Sequence, residues 1–240
     1  MLKQSILISS LVLAGLTACN SHTNGENNST TDHAATTHDE AKLDEHHIGT
    51  LPVEKRVAFM SGHVQAGLAL YRAGAPDQAA KHLLHPVSET HQAERAGIDA
   101  LGFDQEIFIT VFKALDEGKP ASEIEPQLAA AQANMVLMQS SAGGDPIDVI
   151  NYLMDTVLEE YAIGVKNGEI TDPGEYQDAF GFTVVAIGIA THMDHPQKAE
   201  VLRTLNALLD SWPETGPLAT SVPTPIVEIT KHVADVKSAL

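Results

Sequence analysis

Cysteine is nearly absent from this chain of 240 residues, since Cys19 is the single one. A lone cysteine cannot form a disulfide within the chain, which excludes an internal disulfide framework. Basic residues are scarce too: 14 lysines and arginines stand against 32 aspartates and glutamates, for a formal net charge of −18. Nucleic acid and anionic membrane surfaces are therefore unfavourable partners, whereas cations are attracted. Solubility alone is the simpler explanation of the charge.

Common catalytic motifs are missing as well. The sequence has no His-Glu-x-x-His, no Gly-x-Ser-x-Gly and no phosphate-binding glycine loop, which mark metalloprotease, hydrolase and nucleotide sites. It also lacks a Glu-x-x-His pair, so the usual di-iron pattern of helical bundles is not present. We therefore expect that the protein is not an enzyme.

The N-terminus has the pattern of a bacterial lipoprotein signal. A lysine near the start precedes an apolar run over residues 6–16, and Leu-Thr-Ala-Cys at residues 16–19 resembles a lipobox. We interpret residues 1–18 as a signal peptide and Cys19 as the lipidated residue. The alternative is an ordinary signal peptide with a chance cysteine. Asn20 in place of an aspartate predicts, in a Gram-negative host, an anchor on the periplasmic face of the outer membrane.

Residues 19–50 are polar and carry almost no side chains that a core could bury. We expect a disordered tether that spaces the following domain from the membrane. Weak capture of metal ions is a second role for such a tract, because histidines stand among its acids. These histidines are His22, His33, His38, His46 and His47.

Residues 51–240 show helical periodicity with little sign of strands. We predict one all-α domain, a single bundle of about eight helices that run up and down or stack as helical hairpins. The predicted helices cover residues 53–73, 77–84, 88–96, 103–116, 122–140, 146–165, 173–193, 196–210 and 225–240.

Two of these helices form the central hairpin of the chain. Asp145 and Asp172 each place a capping carboxylate before a proline, which is tolerated at the first helical position. The short loop between the two helices predicts antiparallel neighbours. Residues 179–190 are apolar nearly all round, so the second helix should be buried at the centre of the bundle. It is too short to span a bilayer.

Histidines on the predicted helices are the main candidate metal ligands. His63 should face at least partly inward, and His82 and His85 lie three residues apart at a helix end. His192 shares a face with two glycines and should therefore point toward packed protein, and His195 follows three residues later. Imidazoles beside a carboxylate can bind Zn, Fe, Cu or Ni. Core or capping histidines bonded to backbone are the alternative.

Glu160 stands out among the acids because it interrupts an apolar helix face. A carboxylate in such a place needs a partner, a metal ion or a shifted pKa. Glu160 should lie near the loop of the central hairpin, and His192 should lie far from it. We therefore expect the two residues to belong to different sites.

Residues 161–182, YAIGVKNGEITDPGEYQDAFGF, resemble a stretch in the extracytoplasmic helical domain of some bacterial high-affinity iron permeases. In both, a helix ends in a Val-x-x-Gly turn and the next begins with Glu-Tyr before an aromatic residue. The permeases' membrane iron motif, Arg-Glu-x-x-Glu, is absent. The resemblance thus implies an accessory domain in iron or other metal handling. The matching residues are Tyr161, Val165, Gly168, Glu175, Tyr176 and Phe182.

A second resemblance is to the imelysin-type periplasmic lipoproteins, which are all-helical and linked to iron uptake. Their motif is Gly-x-His-x-x-Glu. Here His91 and Glu94 keep the histidine and the glutamate, and Glu89 stands where the glycine would be.

Together these features predict a lipid-anchored envelope protein that binds or hands on a metal ion in uptake, with iron or another transition metal as cargo. A metal-uptake permease or receptor would be its partner, and the lipid would provide its contact with the membrane. One alternative is a ligand-free structural or interaction lipoprotein. Another is a haem-binding lipoprotein with His63 and either Met60 or Met193 as axial ligands.

Overall fold

The described part of the chain is built from α-helices. The computed structural model describes residues 51–88 and 95–240, and these contain eight α-helices and one two-stranded hairpin. The predicted all-α class and the predicted number of helices are confirmed. The helices are α1 (Val53–Arg72), α2 (Pro76–Leu84), α3 (Gln105–Asp116), α4 (Ala121–Ala142), α5 (Pro146–Gly164), α6 (Pro173–His192), α7 (Lys198–Leu209) and α8 (Ile226–Ala239), and the strands are β1 (Val165–Lys166) and β2 (Glu169–Ile170).

The beginnings of α5 and α6 follow from their sequence. The carboxylate of Asp145 accepts a hydrogen bond from the backbone N–H of Ile147 at 2.9 Å. Asp172 accepts one from the N–H of Gly174 at 3.1 Å. Each carboxylate satisfies an amide that has no partner inside its helix and lies at the positive end of the helix dipole. Both predicted helix starts are confirmed.

A small hairpin joins α5 to α6, where the sequence indicated only a helix stop. Strands β1 and β2 pair antiparallel, with Lys166 opposite Glu169. Asn167 and Gly168 form the two-residue turn and both have positive φ, 56° and 79°. An Asn-Gly pair is typical of the type I′ turn, which requires positive φ at both positions. The turn holds α5 and α6 as antiparallel neighbours, as predicted.

The helices form two groups of four, and each group surrounds its own hydrophobic core. In the first group α1 and α3 each pack on both α2 and α4, around buried Met60 and Phe108. In the second group α6 and α8 each pack on both α5 and α7, around buried Tyr161 and Phe182. Helix α6 also packs extensively on α1. It therefore lies between the two cores, which confirms its predicted central position.

The contact between α1 and α6 depends on two glycines. A Cβ atom added to Gly181 on α6 would lie 2.1 Å from the carbonyl oxygen of Gly62 on α1, and one added to Gly62 would lie 2.1 Å from the ring of Phe182. Real side chains do not approach so closely, so the two backbones meet only because neither residue has a side chain. This close approach brings the N-terminal half of α6 next to the middle of α1.

The helix predicted over residues 88–96 is absent at both of its described ends. Ser88 comes after a short 3₁₀ turn and has an extended backbone, and residues 95–98 form a turn. Residues 89–94 lie outside the described part, and so do His91 and Glu94 of the imelysin-like motif.

The predicted signal peptide, the lipidation site Cys19 and the tether also lie outside the described residues. Within residues 51–88 and 95–240, no helix is both long enough and apolar enough to cross a membrane.

Candidate functional site

Three buried side chains from three helices converge where α6 passes α1 and α2. The Nδ1 atom of His63 on α1 lies 2.7 Å from Oδ1 of Asp178 on α6. The Nδ1 atom of His82 on α2 lies 3.0 Å from the same oxygen. One potential ligand atom from each residue lies within 4.8 Å of the others, and all three residues are buried. Two imidazoles and a carboxylate at such distances could hold a metal ion.

Glycines at the helix contacts help to set the positions of these side chains. His63 directly follows Gly62, at the contact between α1 and α6. On the other side, Gly67 brings α2 against α1: a Cβ atom there would lie 2.7 Å from Cγ of Leu83, the residue after His82. The site therefore depends on two close helix contacts, one on each side of α1.

The two histidines control the charge of Asp178. Burial by itself raises the pKa of this carboxyl, but the positive charges of His63 and His82, together with their hydrogen bonds, hold it well below its ordinary value. Asp178 is thus an anion inside the protein, stabilised by imidazoles. A metal ion in this place would replace protons on the imidazoles as the positive partner of the carboxylate.

A cavity of about 260 Å³ adjoins the cluster, and His85 and Glu175 also face it. The ring of His85 stacks on that of His63, with ring centres 3.5 Å apart and planes inclined by 15°. The edge of the His63 ring also packs against Phe59, with centres 4.8 Å apart. These contacts hold the His63 ring in one orientation, and the cavity leaves room beside the cluster for a small ligand.

Behind this cavity, Glu160 on α5 pairs with Glu175. Glu160 is only 3% exposed, and its Oε2 atom has no hydrogen-bond partner among the described residues. Burial raises the pKa of Glu160 far above its usual range, and the hydrogen bond and negative charge of Glu175 raise it further. Glu160 is therefore a carboxylic acid, not a carboxylate, at neutral pH, and the pair joins α5 to the wall of the cavity.

The predicted histidine pair at the other end of α6 lies apart from this cluster. His192 is exposed, so the prediction that it points toward packed protein is wrong. Its Nδ1 donates to the carbonyl of Gly188 at 2.9 Å, and Nδ1 of half-buried His195 accepts from the N–H of Gln197 at 3.2 Å. The face that His192 shares with Gly188 is not closely packed, because nothing lies within 4 Å of a Cβ atom added to Gly188.

The six predicted metal residues therefore separate into three situations. His63 and His82 belong to the convergent cluster, and His85 stacks against it. Glu160 lies further from the cluster, on the far side of Glu175. His192 lies 14 residues after Asp178 on α6, about 21 Å along the helix axis, and His195 lies beyond the end of the helix, so neither joins the cluster.

Sequence reasoning missed Asp178 and Gln177, and it noted Glu175 only as a residue that matches the permease stretch. All three are buried on a helix that was already predicted to be central. The predicted burial of this helix could have identified these residues, because polar side chains on an enclosed helix must find partners.

Geometry does not favour the haem alternative. The cavity beside His63, about 260 Å³, is below the range of about 300–1,000 Å³ that is usual for larger ligands. Met60 is buried in the core of the first four helices, and Met193 follows the far end of α6.

Residues 141–240 match the family described as the iron permease-associated 4-helix bundle domain. This part comprises α5 to α8, and it includes the stretch at residues 161–182 on which the permease resemblance rests. The resemblance to the helical domain of iron permeases is thereby confirmed for the second group of helices. No curated protein and no solved structure matches the chain. His63, His82 and His85 lie outside the matched part, whereas Asp178, Glu175 and Glu160 lie inside it.

Proposed function

We propose that this protein binds a transition-metal ion, with Fe²⁺ as the first candidate, between α1, α2 and α6, and passes it on during iron uptake. The observation that carries the proposal is the approach of His63, His82 and Asp178, whose potential ligand atoms lie within 4.8 Å of one another in a buried place. The match of residues 141–240 to an iron permease-associated domain favours iron over other metals.

The donor set suits such an ion. Two imidazoles and one carboxylate are the ligands of many non-haem Fe(II) sites, and Zn²⁺ and Cu²⁺ accept the same donors. Three protein ligands leave positions open toward the cavity, so that an ion could enter and leave. The formal net charge of −18 would draw cations toward the protein. In this proposal the ion is cargo, and the protein catalyses no reaction.

The proposal places the protein in the bacterial envelope. Lipid attached to Cys19 would anchor it, on the periplasmic face of the outer membrane in a Gram-negative host, and residues 19–50 would space the helices from that membrane. A metal-uptake permease or receptor would take the ion, in keeping with the permease association of the matched family.

An anaerobic titration of the full chain with Fe²⁺ tests the proposal. We expect one tight site that the single variants His63→Gln and His82→Gln each weaken by at least about tenfold, since each removes a ligand. His192→Gln is the matched control and should leave the tight site unchanged. Retention of the tight site in both cluster variants would overturn the proposal, as would its absence from the wild-type chain.

The ligand-free module is the second candidate, and one observation favours it. Asp178 is already neutralised by two histidines, and such a buried ionic cluster can serve stability or specificity alone. This candidate predicts that Fe²⁺, Zn²⁺ and Cu²⁺ leave the unfolding temperature of the full chain unchanged, whereas a bound ion would raise it.

A further inference from the structure

A pair of side-chain amides connects His82 with the rim of the cavity. The Nε2 atom of His82 lies 2.9 Å from Oε1 of Gln177. The Nε2 atom of Gln177 in turn donates to Oε1 of Gln78 at 2.5 Å. Gln177 is only 2% exposed, on a helix whose other side chains are mostly apolar. A buried amide is costly unless both of its ends are bonded, and here His82 and Gln78 satisfy the two ends.

The direction of this relay shows that Nε2 of His82 carries a hydrogen. An amide has one donating end and one accepting end. Because Gln177 donates through its nitrogen to Gln78, its oxygen faces His82, and an oxygen can only accept. The Nε2 atom of His82 must therefore donate. Its Nδ1 atom, which lies 3.0 Å from Oδ1 of Asp178, is then the nitrogen that can exchange its proton for a metal ion.

This arrangement is what metal-bound histidines generally have. One ring nitrogen binds the ion, and the N–H of the other donates to a carbonyl or carboxylate, which fixes both the tautomer and the plane of the ring. We propose that the Gln78–Gln177 amide pair is the positioning device of the metal site, which holds His82 with hydrogen on Nε2 and presents Nδ1 to the ion. The inference rests on the proposed function and extends it to two residues that touch no metal.

A packing role for Gln177 makes a different prediction. If the side chain only fills space on α6, an apolar residue of the same length should replace it without effect on metal binding. Gln177→Met is that replacement. Gln177→Glu keeps an accepting oxygen next to His82 and serves as the conservative rescue variant.

The test uses the full chain and two readouts: the affinity for Zn²⁺ and for anaerobic Fe²⁺, and the ¹⁵N NMR spectrum of the His82 ring with Zn²⁺ bound. In the wild type the ion should be on Nδ1 and the hydrogen on Nε2. Gln177→Met leaves the Nε2–H without an acceptor, so it should give a mixture of bound ring nitrogens and lower the affinity for both ions by about 10–100-fold. Gln177→Glu should restore binding through Nδ1 alone and most of the affinity.

Gln78→Met is the second variant, because Gln78 is half-buried and its replacement should be tolerated even if Gln177→Met does not fold. It frees the Gln177 amide to turn, so a mixture of bound ring nitrogens and a smaller loss of affinity are expected.

Two results would overturn the positioning role while the proposed function stands: metal affinity that is equal in wild type and both methionine variants, or Zn²⁺ bound through Nε2 of His82 in the wild type. A wild-type chain that binds neither ion would instead overturn the proposed function itself.

Discussion

The two ends of α6 carry similar residues in very different surroundings. At its N-terminal end, Glu175 and Asp178 are buried and meet histidines from α1 and α2. At its C-terminal end, His192 and Asp194 are exposed and His192 bonds only to its own helix. Both ends bring acids and histidines together, yet only the N-terminal end has three such residues with potential ligand atoms within 4.8 Å of one another.

The difference arises from what covers each end. Gly181 lets α1 lie against the N-terminal half of α6, and His63 comes with it. At Gly188, one heptad later, nothing lies within 4 Å of an added Cβ atom. Ligand spacing along one helix is therefore a weak indicator of a metal site, and convergence with a second helix is the decisive feature.

Removing the shared acid should have the largest effect of any single substitution. Asp178→Asn keeps the shape of the side chain but loses the negative charge that two imidazoles face. We expect the affinity for Fe²⁺ to fall by more than about 100-fold, since a direct ligand should count for more than an outer partner. Loss of one member of a buried ionic cluster should also lower the free energy of unfolding by about 3–5 kcal/mol.

Asp194→Asn is the matched substitution at the exposed end and should change neither quantity. Metal titration and urea unfolding of both variants measure the contrast, with circular dichroism to verify the helical fold. Equal behaviour of the two variants would remove the distinction between the two ends of α6.

Gly181 and Gly188 on α6 give the next largest contrast. In Gly181→Ala the new methyl group would lie 2.1 Å from a backbone oxygen of α1, and backbone cannot move aside as a side chain can. We expect a loss of at least about 1–3 kcal/mol in the free energy of unfolding, as for overpacked cores. Gly188→Ala meets nothing and should stabilise the helix by about 1 kcal/mol. Thermal unfolding of the two variants measures the difference. A Gly188→Ala variant that is less stable than the wild type would contradict this view of α6.

The raised pKa of Glu160 beside Glu175 predicts that the stability of the protein depends on pH. Unfolded, Glu160 loses its proton near the ordinary pKa of 4.5, whereas in the folded protein it keeps the proton to much higher pH. Above this ordinary value the unfolded state binds fewer protons, so stability falls as pH rises. Glu160→Gln removes this penalty, and its unfolding free energy should exceed that of the wild type by up to about 1.4 kcal/mol for each pH unit above 4.5.

Glu159→Gln is the neighbouring control. Burial raises the pKa of Glu159 as well, but this side chain is largely exposed, so its variant should show a much weaker dependence on pH. Urea unfolding at several pH values between mildly acidic and mildly basic compares the two. A Glu160→Gln variant that is less stable than the wild type throughout would mean that Glu160 is ionised and paired in the folded state.

Much of this fold could be predicted from local sequence. The caps Asp145 and Asp172, the antiparallel hairpin and the buried α6 all follow from capping chemistry and apolar periodicity, which act within a few residues. Burial of Glu160 could be predicted for the same reason, since the apolar stripe around it lies on one helix.

The candidate site could be predicted only in part, because its assembly depends on contacts between distant segments. His63 and Asp178 are 115 residues apart in the chain, and no helical period relates them. The error for His192 has the same origin: small residues on its face indicated a closely packed helix, but nothing lies within 4 Å of a Cβ atom added to Gly188. The sequence shows which faces can be approached closely, and the tertiary fold decides which of them are.

Substitution of His192 or His195, at the C-terminal end of α6, should have the smallest effect. It would sharpen the contrast between the two ends of the helix. His192 donates to the carbonyl of Gly188 at the end of α6, so His192→Ala should lose the modest stabilisation of a polar group at a helix C-terminus, about 0.3–1 kcal/mol. His195→Ala should lose less, because its ring only accepts from one backbone N–H. Neither should change Fe²⁺ affinity by more than about twofold, which is within the scatter expected for independent sites. A tenfold loss in either variant, in the same anaerobic titration, would show that the exposed end of α6 also holds metal and that convergence with α1 is not required.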